Sequence, residues 1–340
     1  MAAILEELAA LGSEARIIVL RALHLGDLLC AVPALRALRQ AVPAAKIELI
    51  GLPWSCHFVR RFSSYLDGFL EFPGFDGLPE RAPDTAALSR LSESLAKNPP
   101  HLIIQMQGSG EMTNRFIGLL PAVKRGGFIP EGSSLRSDTF LEYPDGHEIN
   151  RLLKLTSHLG ASAQASAELE FPLFKSDMEL LDCVLGRNRV HETPFVVIHP
   201  GSRSSVRWPA ERFAALADSL SRQGLHVVLT GVPSESHEAA EVERNMRTTA
   251  LNLCGLTSIG SLAALIQRAR LVICNDTGIS HLAAALKVPS VVLFSSSELG
   301  RWAPLNRYLH LALSGAPFLS AEQVLKRVQQ KLNREARYAA

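Results

Sequence analysis

The sequence predicts an α/β protein built as two strand-and-helix halves, and two observations carry this. Short β-branched runs recur between helical patterns, and a small-residue stretch ending in an extended proline segment divides them into two series. The runs are Arg16 to Leu20, Lys46 to Ile50, His101 to Gln105, Phe195 to His199, His226 to Thr230, Leu271 to Cys274 and Ser290 to Phe294. Several are apolar throughout, as strands buried on both faces of a parallel sheet must be. Between Gly160 and Lys175, Ala-Ser-Ala-Gln-Ala-Ser-Ala leads into Phe171-Pro172-Leu173-Phe174, which has the composition of a linker. At 340 residues, and about 150 per domain, two domains are expected. Their boundaries are placed at 1–170, with an extension over 1–15, and at 176–318, followed by a terminal helix over 319–340.

The composition bounds what such a chain can do. With 47% hydrophobic and 20% charged residues it can bury sizeable cores, which excludes a disordered or fibrous chain. The 35 Lys+Arg against 33 Asp+Glu leave +2, too little for a nucleic-acid binder working through bulk charge. Any anion site is therefore local. The balance is −3 through residue 170 and +5 after it, which favours the second half as host of an anionic ligand. The five cysteines form no C-x-x-C pair and read as reduced residues of a cytosolic protein. Met1 to Leu11 lacks the basic start of a secretory signal, and no apolar run reaches the roughly 18 residues of a membrane span. A soluble, cytoplasmic protein is expected. No period of 20 to 50 residues points to a solenoid. The last helix, about Ser320 to Arg337, spaces Val324, Val328 and Leu332 on one face with Lys326, Arg327, Lys331 and Arg334 elsewhere. That pattern fits a solvated terminal helix or a membrane-surface contact.

Four loops that follow strands carry the chemistry. The first, Arg21-Ala-Leu-His-Leu-Gly26-Asp27, comes directly after Arg16 to Leu20 and precedes a helical stretch containing Pro33-Ala-Leu. Ligands of open α/β sheets bind at the carboxyl ends of strands, where this loop belongs. Gly26 lets a substrate approach the backbone, and Asp27 is either a general base or a helix N-cap. The second, Cys274-Asn275-Asp276-Thr277-Gly278-Ile279-Ser280-His281, precedes an alanine-rich helix. Free N–H groups and the positive end of the helix dipole there suit a diphosphate. Asp276-Thr277 is equally a good cap, and His281 equally a core histidine.

The third loop, His199-Pro200-Gly201-Ser202-Arg203-Ser204-Ser205-Val206-Arg207-Trp208-Pro209, joins glycine, hydroxyls and two arginines, a set that can cradle phosphate. Its alternative is a surface loop whose Trp208-Pro209 packs at a helix start. The fourth is Gly231-Val232-Pro233-Ser234-Glu235, whose carboxylate can accept from ribose hydroxyls or simply begin a helix. The sequence contains no G-x-G-x-x-G after a strand, no Walker loop, no H-E-x-x-H, no G-x-S-x-G and no Asp-x-Asp pair. A diphosphate leaving such a site needs protein cations and helix dipoles to take its charge.

In this order the four loops resemble glycosyltransferase family 9, the lipopolysaccharide heptosyltransferases, from about Arg16 to the C-terminal helix. The most specific parts are Gly26-Asp27 followed by Pro33-Ala-Leu, Arg207-Trp208-Pro209, and Asp276-Thr-Gly-x-x-His281-Leu-x-Ala-Ala. The resemblance implies the GT-B fold: two Rossmann-like domains facing across a cleft, the last helix crossing back to the first. It implies transfer of heptose with inversion, without metal or other cofactor, from ADP-heptose on the C-terminal domain. The acceptor, Kdo or heptose of the lipopolysaccharide inner core, contacts the N-terminal domain. By the same resemblance Asp27 is the catalytic base. Gly26, Ser202, Arg203, Arg207, Glu235, Asp276, Thr277, Gly278 and His281 serve the donor, the amides at 277 and 278 taking diphosphate oxygens. Gln107, Arg60, Arg61 and Arg115 serve the acceptor. Many members carry Lys where this chain has Val206, so Arg207 or Arg203 is expected to supply that cation. The expected partners are a nucleotide sugar and the lipopolysaccharide core, with peripheral inner-membrane contact, no nucleic acid and a monomeric state. Two alternatives stand beside this reading: a transferase of the same fold using another nucleotide sugar, and a sugar-nucleotide-binding protein without turnover.

Overall fold

The computed structural model describes residues 3–135, 137–186 and 193–338, with side chains at the C-terminal end through residue 333. The chain forms two compact units, Met1–Glu168 and Leu169–Ala340. All five cysteines are free.

In the first unit α1 (Ile4–Ala10) precedes β1 (Arg16–Leu20), α2 (Leu25–Ala41), β2 (Lys46–Gly51), α3 (Ser55–Arg61), β3 (Gly68–Glu71) and α4 (Thr85–Lys97). Then follow β4 (Leu102–Gln105), α5 (Thr113–Gly118), β5 (Lys124–Ile129), β6 (Phe140–Glu142) and α6 (Glu148–His158). The six strands are parallel, in the order β3-β2-β1-β4-β5-β6. Ile18 and Leu20 of β1 pack with Leu91 and Leu95 of α4 and with Phe116 and Ile117 of α5. Ile17 and Val19, which strand alternation points to the opposite face, are equally buried. Helix α2 packs against α6 and runs through the buried Pro33, whose missing N–H leaves one helical hydrogen bond unmade.

The second unit contains α7 (Lys175–Leu185), β7 (Phe195–His199), α8 (Ala210–Ser221), β8 (His226–Leu229), α9 (Ser236–Asn245), β9 (Leu251–Asn252) and α10 (Ile259–Arg268). It continues with β10 (Leu271–Asn275), α11 (Gly278–Ala285), β11 (Ser290–Phe294), α12 (Leu299–Trp302), β12 (His310–Ser314) and α13 (Ala321–Tyr338). Its strands, again all parallel, run β12-β11-β10-β7-β8-β9. Counted from its own first strand, this is the order of the first sheet, the doubly wound order of dinucleotide folds. Val196 and Ile198 of β7 and Leu271 and Ile273 of β10 share a core with Trp208 and Phe213. Val324 and Val328 dock α13 in that core, against α8. Lys331, read from the sequence as one of the outward basic residues of α13, is instead buried: its Nζ donates to Tyr308 O at 2.7 Å and lies over the Tyr308 ring. Among the described residues no helix is long and apolar enough to cross a membrane.

Five strands were not expected from the sequence: β3, β5, β6, β9 and β12. Four are the outer strands of the sheets, and β5 carries Lys124-Arg125-Gly126-Gly127 in place of an apolar run.

Candidate functional site

In a sheet of this order the strand sequence reverses between the first strand and the fourth, and the crevice outside the carboxyl ends at that point is where ligands bind. The point lies between β1 and β4 in the first unit, where Leu20 pairs with Gln105, and between β7 and β10 in the second, where His199 pairs with Cys274.

At the first crevice Arg21 follows β1 and is 0% exposed. Its guanidinium donates to Asp27 O at 2.8 Å, to Met106 O beyond β4, and to Glu148 Oε1 at 3.0 Å. One buried cation thus ties the loop after β1 to the loop after β4 and to the start of α6. Gln107 adds a second tie, its Oε1 accepting from Ala22 N at 2.9 Å, while its Nε2 is buried with no partner. Asp27 is not the N-cap that one sequence reading offered. The helix starts two residues earlier with His24 as cap, and Asp27 reaches back to accept from His24 N at 3.2 Å through Oδ2. That bond fixes the carboxylate at the mouth of α2, and Oδ1 meets no donor among the described residues. Gly26 lies buried in the same turn.

At the second crevice Asn275 closes β10. Its Nδ2 donates to Pro200 O at 2.7 Å, and its Oδ1 accepts from Trp208 N at 3.2 Å. Trp208 itself is core, with Nε1 donating to Leu319 O at 2.9 Å, so the packing account of Trp208-Pro209 holds for the indole. Thr277 is the backbone N-cap of α11, but its side chain makes no capping bond and its Oγ1 is buried without a partner. Ser280 N donates to Thr277 O at 3.0 Å, but no first-turn amide of α11 is taken by the threonine hydroxyl that the cap reading assigned to them. Asp276 accepts from Ser297 Oγ at 2.5 Å, and His281 is buried one turn into the helix, its ring 6.3 Å from that of Trp302.

Beside this crevice, beyond β8, Glu235 Oε2 accepts from Val232 N at 2.9 Å and stands 3.4 Å from His199 Nε2. Burial would raise the Glu235 carboxyl, but the His199 hydrogen bond and charge, the Val232 amide and the Arg207 charge outweigh it and hold the group below the ordinary carboxylate range. Gly201 makes this possible: a Cβ there would lie 2.2 Å from the Glu235 carboxyl carbon. Arg207 Nη2 pairs with Glu238 Oε1 at 2.9 Å, whereas Arg203 is exposed and carries no bond among the described residues. Ser202 Oγ accepts from Ser204 N at 3.1 Å, turning the loop.

The acceptor-side arginines are more dispersed. Arg60 and Arg61 occupy the last turn of α3, away from its start at the end of β2, and exposed Arg115 lies along its own helix with Nη1 3.9 Å from Met112 Sδ. Sequence reasoning missed Arg21, Glu148 and Asn275 as the residues that hold the two crevices. The only signal was an arginine directly after an all-apolar strand, and an asparagine ending another. Among the described residues no group of three or more His, Cys, Asp or Glu is placed to hold a metal ion.

Residues 88–329 match the family described as glycosyltransferase family 9 (heptosyltransferase). Lipopolysaccharide heptosyltransferase 3 of Escherichia coli K12 is 26% identical over 295 residues, 82% of each chain. Lipopolysaccharide heptosyltransferase 2 of Salmonella typhimurium is 33% identical over 122 residues, 34% of this chain and 35% of the relative. Among solved structures, a family 9 glycosyltransferase from Veillonella parvula superposes with a TM-score of 0.79 at 22% identity, covering 94% of this chain and 97% of the other. The E. coli heptosyltransferase WaaC with ADP gives 0.69 at 18% identity, covering 93% of this chain and 99% of the other. With two doubly wound units and a match over most of its length, this chain belongs to glycosyltransferase family 9 and is a glycosyltransferase of the GT-B class.

Proposed function

We propose that the chain moves heptose from ADP-heptose to the inner core of lipopolysaccharide, inverting the anomeric centre without a metal ion. The observation that carries this reading is the start of α11, where a helix at the β7/β10 crevice presents first-turn amides that its own N-cap side chain leaves alone. The second unit holds the donor: the amides of Thr277 and Gly278 take diphosphate oxygens, Glu235 the ribose or sugar hydroxyls, and His281 supports the same end of the helix. The first unit holds the acceptor near Gln107, with Arg60, Arg61 and Arg115 available for its acidic groups.

Asp27 is the base. Its fixed carboxylate takes the proton of the acceptor hydroxyl as that oxygen bonds to the anomeric carbon from the face opposite ADP. The bond from that carbon to the diphosphate oxygen breaks, and ADP leaves with the electron pair. Helix amides and an arginine, set in place before the reaction, stabilise the charge that appears on it. The E. coli heptosyltransferase WaaC, solved with ADP and with ADP-2-deoxy-2-fluoro heptose, supports the choice of nucleotide. The lipid-borne acceptor is met at the membrane surface, with no helix of the described chain crossing it.

Calorimetric titration with ADP, GDP, UDP and dTDP tests the donor, and a clear preference for a nucleotide other than ADP defeats the heptose reading. Transfer assayed with EDTA tests the chemistry. Turnover should persist, and its collapse would remove the metal-independent mechanism.

A further inference from the structure

Two arginines follow β7, and the strand order separates what they do. In the sequence β11-β10-β7-β8, strand β7 has β10 on one side and β8 on the other. Ser204 Oγ meets Ser296 Oγ, just beyond β11, at 3.2 Å. Strand β10 lies between β7 and β11, and Ser297, next to Ser296, donates to Asp276 at its end. The loops after β7 and β11 therefore meet as an arch at the end of β10, beside the helix start proposed above to take the diphosphate. Two buried hydroxyls without partners, Thr277 Oγ1 and Ser295 Oγ, belong to the segments that follow β10 and β11 there. Arg203 sits at the arch, exposed and without a bond among the described residues.

Arg207 turns the other way. Its Nη2 pairs at 2.9 Å with Glu238 of α9, on the β8 side, and Glu238 is mostly buried. Its Nη1 reaches back to Ser202 O at 3.5 Å, within the same loop. The guanidinium thus holds the loop to α9 and braces its turn.

We infer that Arg203 is the cation facing the leaving diphosphate, in place of the lysine expected at Val206, and that Arg207 is a positioning residue that holds the phosphate loop to α9. The inference rests on the donor reading above. A free planar guanidinium can hold a phosphate through two donors, whereas one already paired must first give up its carboxylate.

Calorimetric titration of the full chain with ADP and with adenosine, together with thermal melting, tests this on the wild type, R203Q, R207Q and R207Q/E238Q. R203Q should weaken ADP about 10-fold to 100-fold, as loss of a charge-assisted hydrogen bond does, with adenosine binding and Tm unchanged. R207Q should lower Tm by leaving Glu238 unpaired, weaken ADP and adenosine alike and by less than R203Q weakens ADP, and recover Tm in the double variant. Unchanged ADP binding in R203Q, an R203Q loss shared by adenosine, or an ADP-specific loss in R207Q as large as that of R203Q overturns the assignment. A wild type that does not bind ADP counts instead against the donor reading, and Arg203 is then judged with whichever of GDP, UDP or dTDP binds.

Discussion

The crevice of the first unit is fastened by a charge and that of the second by an amide. Arg21 gathers Asp27 O, Met106 O and Glu148 into one buried cluster, while Asn275 joins Pro200 O to Trp208 N with neutral hydrogen bonds. What each leaves exposed differs in the same sense. The first presents a carboxylate, Asp27, held by a backbone amide, and the second presents helix amides and a free arginine. A cation fastening the second crevice would add a fixed charge beside the departing anion, whereas Asn275 leaves that charge to groups that touch the ligand. The comparison predicts that proton chemistry and anion binding separate cleanly between the units.

The largest expected effect tests that separation. Asp27→Asn keeps an acceptor for His24 N but removes the base, so initial rates of heptose transfer should fall about 10²-fold to 10⁴-fold, the usual worth of a general base. ADP affinity and thermal melting should stay at wild-type values. Undiminished transfer would take Asp27 out of its role, and lost ADP binding would break the division between the units.

The two fastenings can then be compared with each other. Arg21→Met takes the nearer cation from Glu148, 4% exposed in its side chain, leaves it to Arg151 at 3.7 Å, and removes the guanidinium donors to Met106 O and Asp27 O; the cost is about 3 kcal/mol, the low end for breaking a buried pair. Urea unfolding should show this as a lower midpoint, and Arg21→Met combined with Glu148→Gln should recover part of it. Asn275→Ala leaves Pro200 O and Trp208 N unpaired in the second unit and should cost less, about 1–3 kcal/mol. Equal costs would mean that the charge adds nothing to the first fastening beyond its hydrogen bonds.

These fastenings mark the limit of what the sequence discloses. Seven strands are legible because strands covered on both faces need side chains such as Ile17-Ile18-Val19-Leu20, which suit few other environments. Outer strands such as Gly68–Glu71 and Phe140–Glu142 are short and only partly buried, and their register comes from the neighbour they join. In β5 the glycines follow from close approach: a Cβ on Gly126 would lie 2.6 Å from Thr139 O, a contact that exists only once β6 is in place. The loops were legible as a set, since glycine, aspartate and arginine after strands point to a ligand. Their direction was not. Arg203 and Arg207 are alike in sequence, and only the fold pairs Arg207 with Glu238 of α9 while Arg203 stays exposed.

The smallest effect lies at the edge strand β12. His310 Nδ1 is 2.9 Å from Ser290 Oγ, and burial, with Lys331 and His281 facing it, pulls its pKa down from 6.5 to about 4. The folded state therefore resists a proton that the unfolded chain accepts. Below pH 6.5 the unfolded state binds more protons, so stability falls as the pH drops through the window from 6.5 to about 4 and is complete above it. At 1.36 kcal/mol per unit, and allowing for partial solvent access, the loss between pH 7 and pH 5 is about 1–2 kcal/mol. Urea midpoints at the two pH values, in the wild type and in His310→Gln, measure it. The variant should lose less stability than the wild type on acidification, and an equal loss in both would move the acid sensitivity of the second unit to other groups.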